Sequence, residues 1–241
     1  LEMAASYGMD FVRIGTEVAA VESGQSLIEA ARKLGIYVYC NLMKSYVASP
    51  EIFAKQAVKC LEMGAQAVYI VDSAGGMLPH EIKAYVDAIK SRRPDATIGF
   101  HGHNNLGLAV ANSVYCAQLG VDIVDTSLQG LGRSAGNTPI TQYLAVLARY
   151  GYSTRFDLIE VMKASEELAR PLVRNIGIDT IDVTAGFAQF HSGFLDRVQK
   201  SAHAKGIDVR RLIIELCKLD KAKGDQGLID QAASNALGLT R

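Results

Sequence analysis

Two histidines separated by one residue, in His101-Gly102-His103-Asn104-Asn105, follow an apolar run from Ala96 to Phe100. If that run is a strand, a period of two puts both imidazoles on one face at its end. Two nitrogen ligands so placed can grip a divalent metal; in the plainer reading they are a hydrogen-bonding pair in a loop. A hard cation such as Mg²⁺ or Mn²⁺ asks for at least one carboxylate besides, and Asp72 and Asp125 stand at the ends of flanking runs. Either is a ligand or a supporting partner, and Asp72 serves equally as a cap for the turn Ser73-Ala74-Gly75-Gly76.

A second constellation is Gly130-Leu131-Gly132-Arg133-Ser134-Ala135-Gly136-Asn137-Thr138-Pro139. Its G-x-G-x-x-x-G spacing misses the dinucleotide fingerprint by one residue. Such a loop can present backbone N–H groups to an anion, or let Asn137 lean over a site, and Arg133 is its exposed cation. His191, among the aromatics Phe187, Phe190 and Phe194, reads from composition as a core or interface histidine. His80 and His203 sit in helical surface patterns and read as solvated.

These groups must be positioned by the elements around them. β-branched and aromatic runs at Phe11 to Thr16, Ile36 to Met43, Ala67 to Asp72, Ala96 to His101 and Val121 to Ser127 read as five strands. The gaps hold helix-period stretches such as Ile82, Tyr85, Val86 and Ile89. Gly8, Gly35, Gly64 and Gly120 precede four of the strands as helix stops. A repeating βα unit follows, and strands apolar on both faces suit a parallel sheet covered by helices. Each run ends in reactive groups: Thr16 and Glu17, Asn41, Asp72 and Ser73, His101 and His103, Asp125 and Ser127. A doubly wound sheet gathers its functional residues at one switch point, whereas a (β/α)8 TIM barrel uses every strand end. The reading is therefore α/β, a partial TIM barrel of about five βα units over residues 1–154, since a closed barrel takes eight strands. A helical module over residues 155–241 follows, with helices expected at Leu158 to Ala169, Phe194 to Ala204, Val209 to Lys218 and Leu228 to Leu237 after one at Ile140 to Arg149.

Composition narrows the class. Of 241 residues, 49% are hydrophobic and 21% charged, enough for a sizeable core. The 25 Lys and Arg balance 25 Asp and Glu, so no basic excess serves a phosphate backbone, and nucleic acid is not the expected partner. No apolar run approaches the roughly 18 residues of a membrane span. The first ten residues read as helix rather than as a signal peptide. Four scattered cysteines without C-x-x-C spacing fit a reducing, cytoplasmic home.

Taken together, His101 to Asn112, Val124-Asp-Thr-Ser127, Gly130 to Pro139 and Asp72 to Gly76 resemble the metal-dependent lyase and aldolase barrels that include 2-isopropylmalate synthase and hydroxymethylglutaryl-CoA lyase. The 4-hydroxy-2-oxovalerate aldolase branch is the most similar. The likeness extends through Ala169-Arg-Pro-Leu172, Gly186 to Leu195 and Gly224 to Leu237. It implies a metal, Mn²⁺ or Mg²⁺, on His101 and His103, with Asn137 as a further ligand. It also implies cleavage of a 4-hydroxy-2-oxo acid to pyruvate and an aldehyde. His191 falls where the aldolases have a tyrosine near the substrate, which makes it the expected catalytic residue, the substitution either keeping a proton-transfer group there or changing substrate choice. Ser45, after Leu42-Met-Lys, falls on the substrate-carboxylate loop, and Arg133 is the second substrate-binding candidate. The likeness begins near the family's fourth strand, so the first-strand aspartate, arginine and histidine of the family have no counterpart here. The helical module is expected to contact an acylating acetaldehyde dehydrogenase. Two further expectations share the motifs: an acyl-CoA-dependent condensing enzyme or lyase of the same fold, and a non-catalytic split-barrel subunit.

Overall fold

A computed structural model describes residues 1–173 and 177–238. They divide into two compact units, one formed by 1–73, 78–102 and 111–125, the other by 74–77, 103–110 and 126 onward.

The first unit is built on five parallel strands in sequential order: β1 (Phe11–Glu17), β2 (Tyr37–Met43), β3 (Ala67–Asp72), β4 (Ile98–Gly102) and β5 (Ile123–Val124). The sheet does not close, so β1 and β5 are its edges. Between the strands lie α2 (Gln25–Lys33), α3 (Pro50–Met63), α4 (Pro79–Arg92) and α5 (Ala109–Gln118), after a short N-terminal α1 (Glu2–Ser6). The four expected stops, Gly8, Gly35, Gly64 and Gly120, all take the positive φ that L side chains avoid. Ser49 caps α3 by accepting from the Ile52 N–H, and Pro50 opens its first turn.

Register gives the sheet two faces. On one, Ile14, Val38, Cys40, Leu42, Val68, Ile70, Ile98 and Phe100 are buried, as are Ile28, Phe53, Ala57, Ile82 and Ile89 on the helices. Phe53 meets Tyr85 edge to face, with centroids 5.1 Å apart. The opposite face carries Arg13, Tyr39, Asn41, Tyr69, Val71 and His101 in adjacent register positions.

The last strand is much shorter than Val121 to Ser127. It pairs with β4 through Gly99↔Ile123 and Phe100↔Val124, and then the chain turns away. Ser127 instead donates its backbone N–H to Thr138, closing the loop that follows.

The second unit is mainly helical: α6 (Ile140–Arg149), α7 (Leu158–Ala164), α8 (Thr180–Ala188), α9 (Leu195–Lys205), α10 (Val209–Leu219) and α11 (Gln226–Gly238). The helix expected to run to Ala169 is α-helical only to Ala164 and widens to a π-turn over Ser165–Ala169. Its core joins Ala185 and Phe190 with Val198, Ala202, Leu212, Ile213, Leu216, Ile229 and Ala232. Sequence periodicity does not show α8, whose β-branched and glycine-containing run TIDVTAGFA is a poor helix former. A capping box starts it, Asp179 accepting from the Asp182 N–H and Asp182 from the Asp179 N–H. That D-x-x-D spacing was the available signal.

Candidate active site

On the first unit's sheet, β1 places Arg13 mid-strand beside Tyr39 and β2 places Asn41. The Arg13 guanidinium donates to Asn41 Oδ1 from Nε (3.0 Å) and Nη2 (2.9 Å) and pairs with Asp125 through Nη1. It lies 4.1 Å from the centroid of the Tyr69 ring, a cation–π contact. Asp125 also accepts from His101 Nδ1 at 2.8 Å. Burial raises the Asp125 pKa, but the hydrogen bond from His101 and the charge of Arg13 outweigh it and hold the carboxyl below its ordinary range. It is therefore ionised at neutral pH. Burial, followed by the Asp125 charge, pushes the Tyr69 phenol up to about 12. An ionised acceptor at Nδ1 selects the His101 tautomer whose lone pair is on Nε2, the form in which a histidine ligates a metal.

His103 shows the same device in the second unit. Its Nδ1 faces the Gly136 carbonyl at 3.2 Å, and a carbonyl can only accept, so Nδ1 is protonated and the lone pair is on Nε2. His103 and Asn137 form an antiparallel bridge. Asn137 donates Nδ2 to the Leu131 carbonyl at 3.1 Å, while its Oδ1 is buried with no hydrogen-bond partner. A buried oxygen in that state can take an ordered water or a cation. Imidazole nitrogen and amide oxygen both suit a divalent ion, so these residues fit one on donor chemistry as part of a ligand set. Neither His103 nor Asn137 is anionic, and among the described residues no three His, Cys, Asp or Glu side chains gather as a metal cluster.

Arg133 Nη2 lies 3.3 Å from His191 Nε2, and His191 Nδ1 accepts from the Gly193 N–H at 3.2 Å. Both contacts face a donor, and a neutral imidazole offers one lone pair. Ser45 is fully buried; its Oγ donates to the Leu42 carbonyl (2.9 Å) and accepts from the Val71 N–H (2.8 Å). It pins the end of β2 to β3. Asp72 is buried at the end of β3. Lys44, next to Ser45, is buried at φ +56° and pairs with Glu17 at 2.8 Å.

Arg13, Tyr69 and Asp182 escape a reading by motif. A charged residue in the middle of the apolar run Phe11 to Ile14 was the signal for Arg13, and Tyr69 gave none.

The family model described as HMGL-like matches residues 6–168. The chain is 37% identical over 97% of its length to the 4-hydroxy-2-oxovalerate aldolase of Carboxydothermus hydrogenoformans, of which it covers 69%. It is 34% identical over 97% of its length to 4-hydroxy-2-oxovalerate aldolase 4 of Paraburkholderia xenovorans, of which it covers 68%. The chain belongs to the 4-hydroxy-2-oxovalerate aldolase family. As a member of that aldolase family it is a carbon–carbon lyase, and its open five-stranded α/β sheet is part of a TIM barrel. Solved structures agree on the fold. The carboxyl transferase domain of Rhizobium etli pyruvate carboxylase with pyruvate gives a TM-score of 0.76 at 18% identity, covering 96% of this chain and 43% of that one. The HMG-CoA lyase of Brucella melitensis gives 0.66 at 20% identity, covering 72% and 70%.

Proposed function

We propose that this chain is a divalent-metal-dependent aldolase that cleaves 4-hydroxy-2-oxo acids, of the 4-hydroxy-2-oxovalerate type, to pyruvate and an aldehyde. The observation that carries it is that both H-x-H imidazoles set Nδ1 against an oxygen acceptor, Asp125 for His101 and the Gly136 carbonyl for His103, an arrangement that favours the tautomer ligating through Nε2. His101, His103 and Asn137 are the residues that would hold Mn²⁺ or Mg²⁺. When bound, such an ion supplies Lewis-acid polarisation of a substrate oxygen.

The chain's own side chains do the rest. Arg133 binds an anionic oxygen of the substrate, and His191 exchanges a proton with the 4-oxygen. In cleavage the 4-hydroxyl loses its proton, the C3–C4 bond breaks with its electron pair passing toward the 2-oxo group, and a proton added at C3 yields pyruvate. Asp125 and Arg13 keep His101 in place. Ser45 acts through the loop it pins at the end of β2, where the substrate carboxylate is bound.

Residues 155–241 form the surface for an acylating acetaldehyde dehydrogenase that takes the aldehyde. Exposed Phe156, Ile159, Leu168, Leu172 and Phe187 support that reading. The setting is cytoplasmic, in keeping with four buried free cysteines; among the described residues no helix is long and apolar enough to cross a membrane.

The test is pyruvate release from 4-hydroxy-2-oxo acids with Mn²⁺, alongside calorimetric Mn²⁺ binding. Release that His101→Ala lowers by about 100-fold or more, with loss of Mn²⁺ binding, is expected. No release from any such acid, or product formation that requires an acyl-CoA, overturns the proposal.

A further inference from the structure

The glycine-rich loop 130–139 contains one residue whose backbone it should not tolerate. Ser134 sits at φ +57°, in the left-handed region that L side chains seldom enter. Its hydroxyl is fully engaged: Oγ donates to Asp182 Oδ1 at 2.7 Å and accepts from Asn105 Nδ2 at 2.8 Å. Asn105 is 1% exposed and also donates to the Asp182 carbonyl at 3.2 Å. Three segments of the second unit therefore meet at one hydroxyl: the 103–110 loop, the glycine-rich loop and the first turn of α8.

The far side of this contact is rigid. The second Asp182 oxygen accepts from the Asp179 N–H in the capping box, which fixes the carboxylate to the helix. Helix α8 is in turn seated by backbone contact, since a Cβ at Gly186 would lie 2.7 Å from Leu106 Cγ, and one at Gly76 would lie 2.1 Å from the Gly186 carbonyl oxygen. Beyond Ser134 the loop is held by Asn104 N–H to Gly136 O (3.0 Å) and Asn137 N–H to Gly130 O (2.9 Å).

We propose that Asp182 and Asn105 latch Ser134 and so hold the glycine-rich loop in the conformation that presents Asn137 and Arg133, making Asp182, Asn105 and Ser134 positioning residues for this site. Without the two bonds to Oγ, residue 134 relaxes toward negative φ and displaces its neighbours Arg133 and Ala135, with Asn137 three residues on. The consequence for metal and substrate rests on the aldolase reading above. The latch itself does not.

Glycine at 134 accommodates positive φ at no steric cost yet lacks the hydroxyl. Ser134→Gly thus separates the bond from the backbone. Amide exchange is measured on the full chain without metal, then Mn²⁺ binding by calorimetry. In Ser134→Gly, Ser134→Ala and Asp182→Ala the Gly136 and Asn137 amides exchange roughly 2- to 10-fold faster, the worth of a hydrogen bond. Asp182→Asn keeps an oxygen for Ser134 and restores protection. A variant that loses its fold also exposes the Ile70 and Phe100 amides, and Ser134→Gly then decides. Unchanged exchange at Gly136 and Asn137 in Ser134→Gly overturns the latch. Faster exchange in a protein whose wild type binds no Mn²⁺ upholds the latch and counts against the metal.

Discussion

Asp125 is the residue on which the first unit's polar cluster turns, because it accepts from both Arg13 and His101. Replacing it with Asn removes the ionised acceptor that fixes the His101 tautomer. With His101 as a ligand, Asp125→Asn lowers Mn²⁺ affinity about 10- to 100-fold in calorimetry, and Arg13→Met, which keeps the carboxylate, lowers it less. Asn137 gives a contrast between metal-free and metal-loaded protein. Its Oδ1 has no partner, so Asn137→Ala in metal-free protein forfeits mainly the 3.1 Å bond to Leu131, about 1 kcal/mol by urea denaturation. The same change with saturating Mn²⁺ costs more, and equal losses in the two conditions would remove Asn137 from the ligand set.

Elements carry these residues to their places, and the junction of β2, β3 and α4 is the best bonded. Ser45 joins β2 to β3, and the Tyr85 hydroxyl on α4 donates to the Ser45 (3.2 Å) and Ala48 (2.7 Å) carbonyls. Tyr85→Phe should cost about 1 to 2 kcal/mol. Burial, then Glu81 and Glu51, push the Tyr85 phenol up to about 12. A raised folded pKa means a contribution fully present below the unfolded tyrosine value near ~10 and lost as pH rises through about 12. Stability curves of wild type and Tyr85→Phe should converge across that window, and a constant gap would show the phenol to be unperturbed. Among the elements, α3 and α4 are legible from capping, proline at N1 and period. Helix α8 is not, because its weak propensity is overridden by tertiary packing at Ala185 and Gly186.

At the scale of the whole molecule, the four cysteines are buried, and burial raises the pKa of Cys116 and Cys217. A thiol reagent should therefore find essentially none in native protein and four after denaturation. Strand β1 is an edge that leaves Phe11 and neighbouring Tyr37 about half exposed. Such an edge favours strand pairing between chains. Phe11→Lys should reduce concentration-dependent association in sedimentation, whereas an unchanged profile would place any association elsewhere.

The sequence by itself determined the βα rhythm, the four glycine stops and the H-x-H and glycine-rich segments, because period, backbone sterics and spacing are local. It also held the family likeness. Tertiary structure decided which partners those groups meet: Arg13 on Asp125, a carbonyl behind His103, an orphaned oxygen on Asn137, and Ser134 bound to Asp182. Those contacts join residues 33 to 112 positions apart or depend on one carbonyl's direction, and no local pattern encodes either. The shortness of β5 has the same origin, since the chain leaves β4 after Val124 and the Ser127 N–H bonds instead to the Thr138 carbonyl.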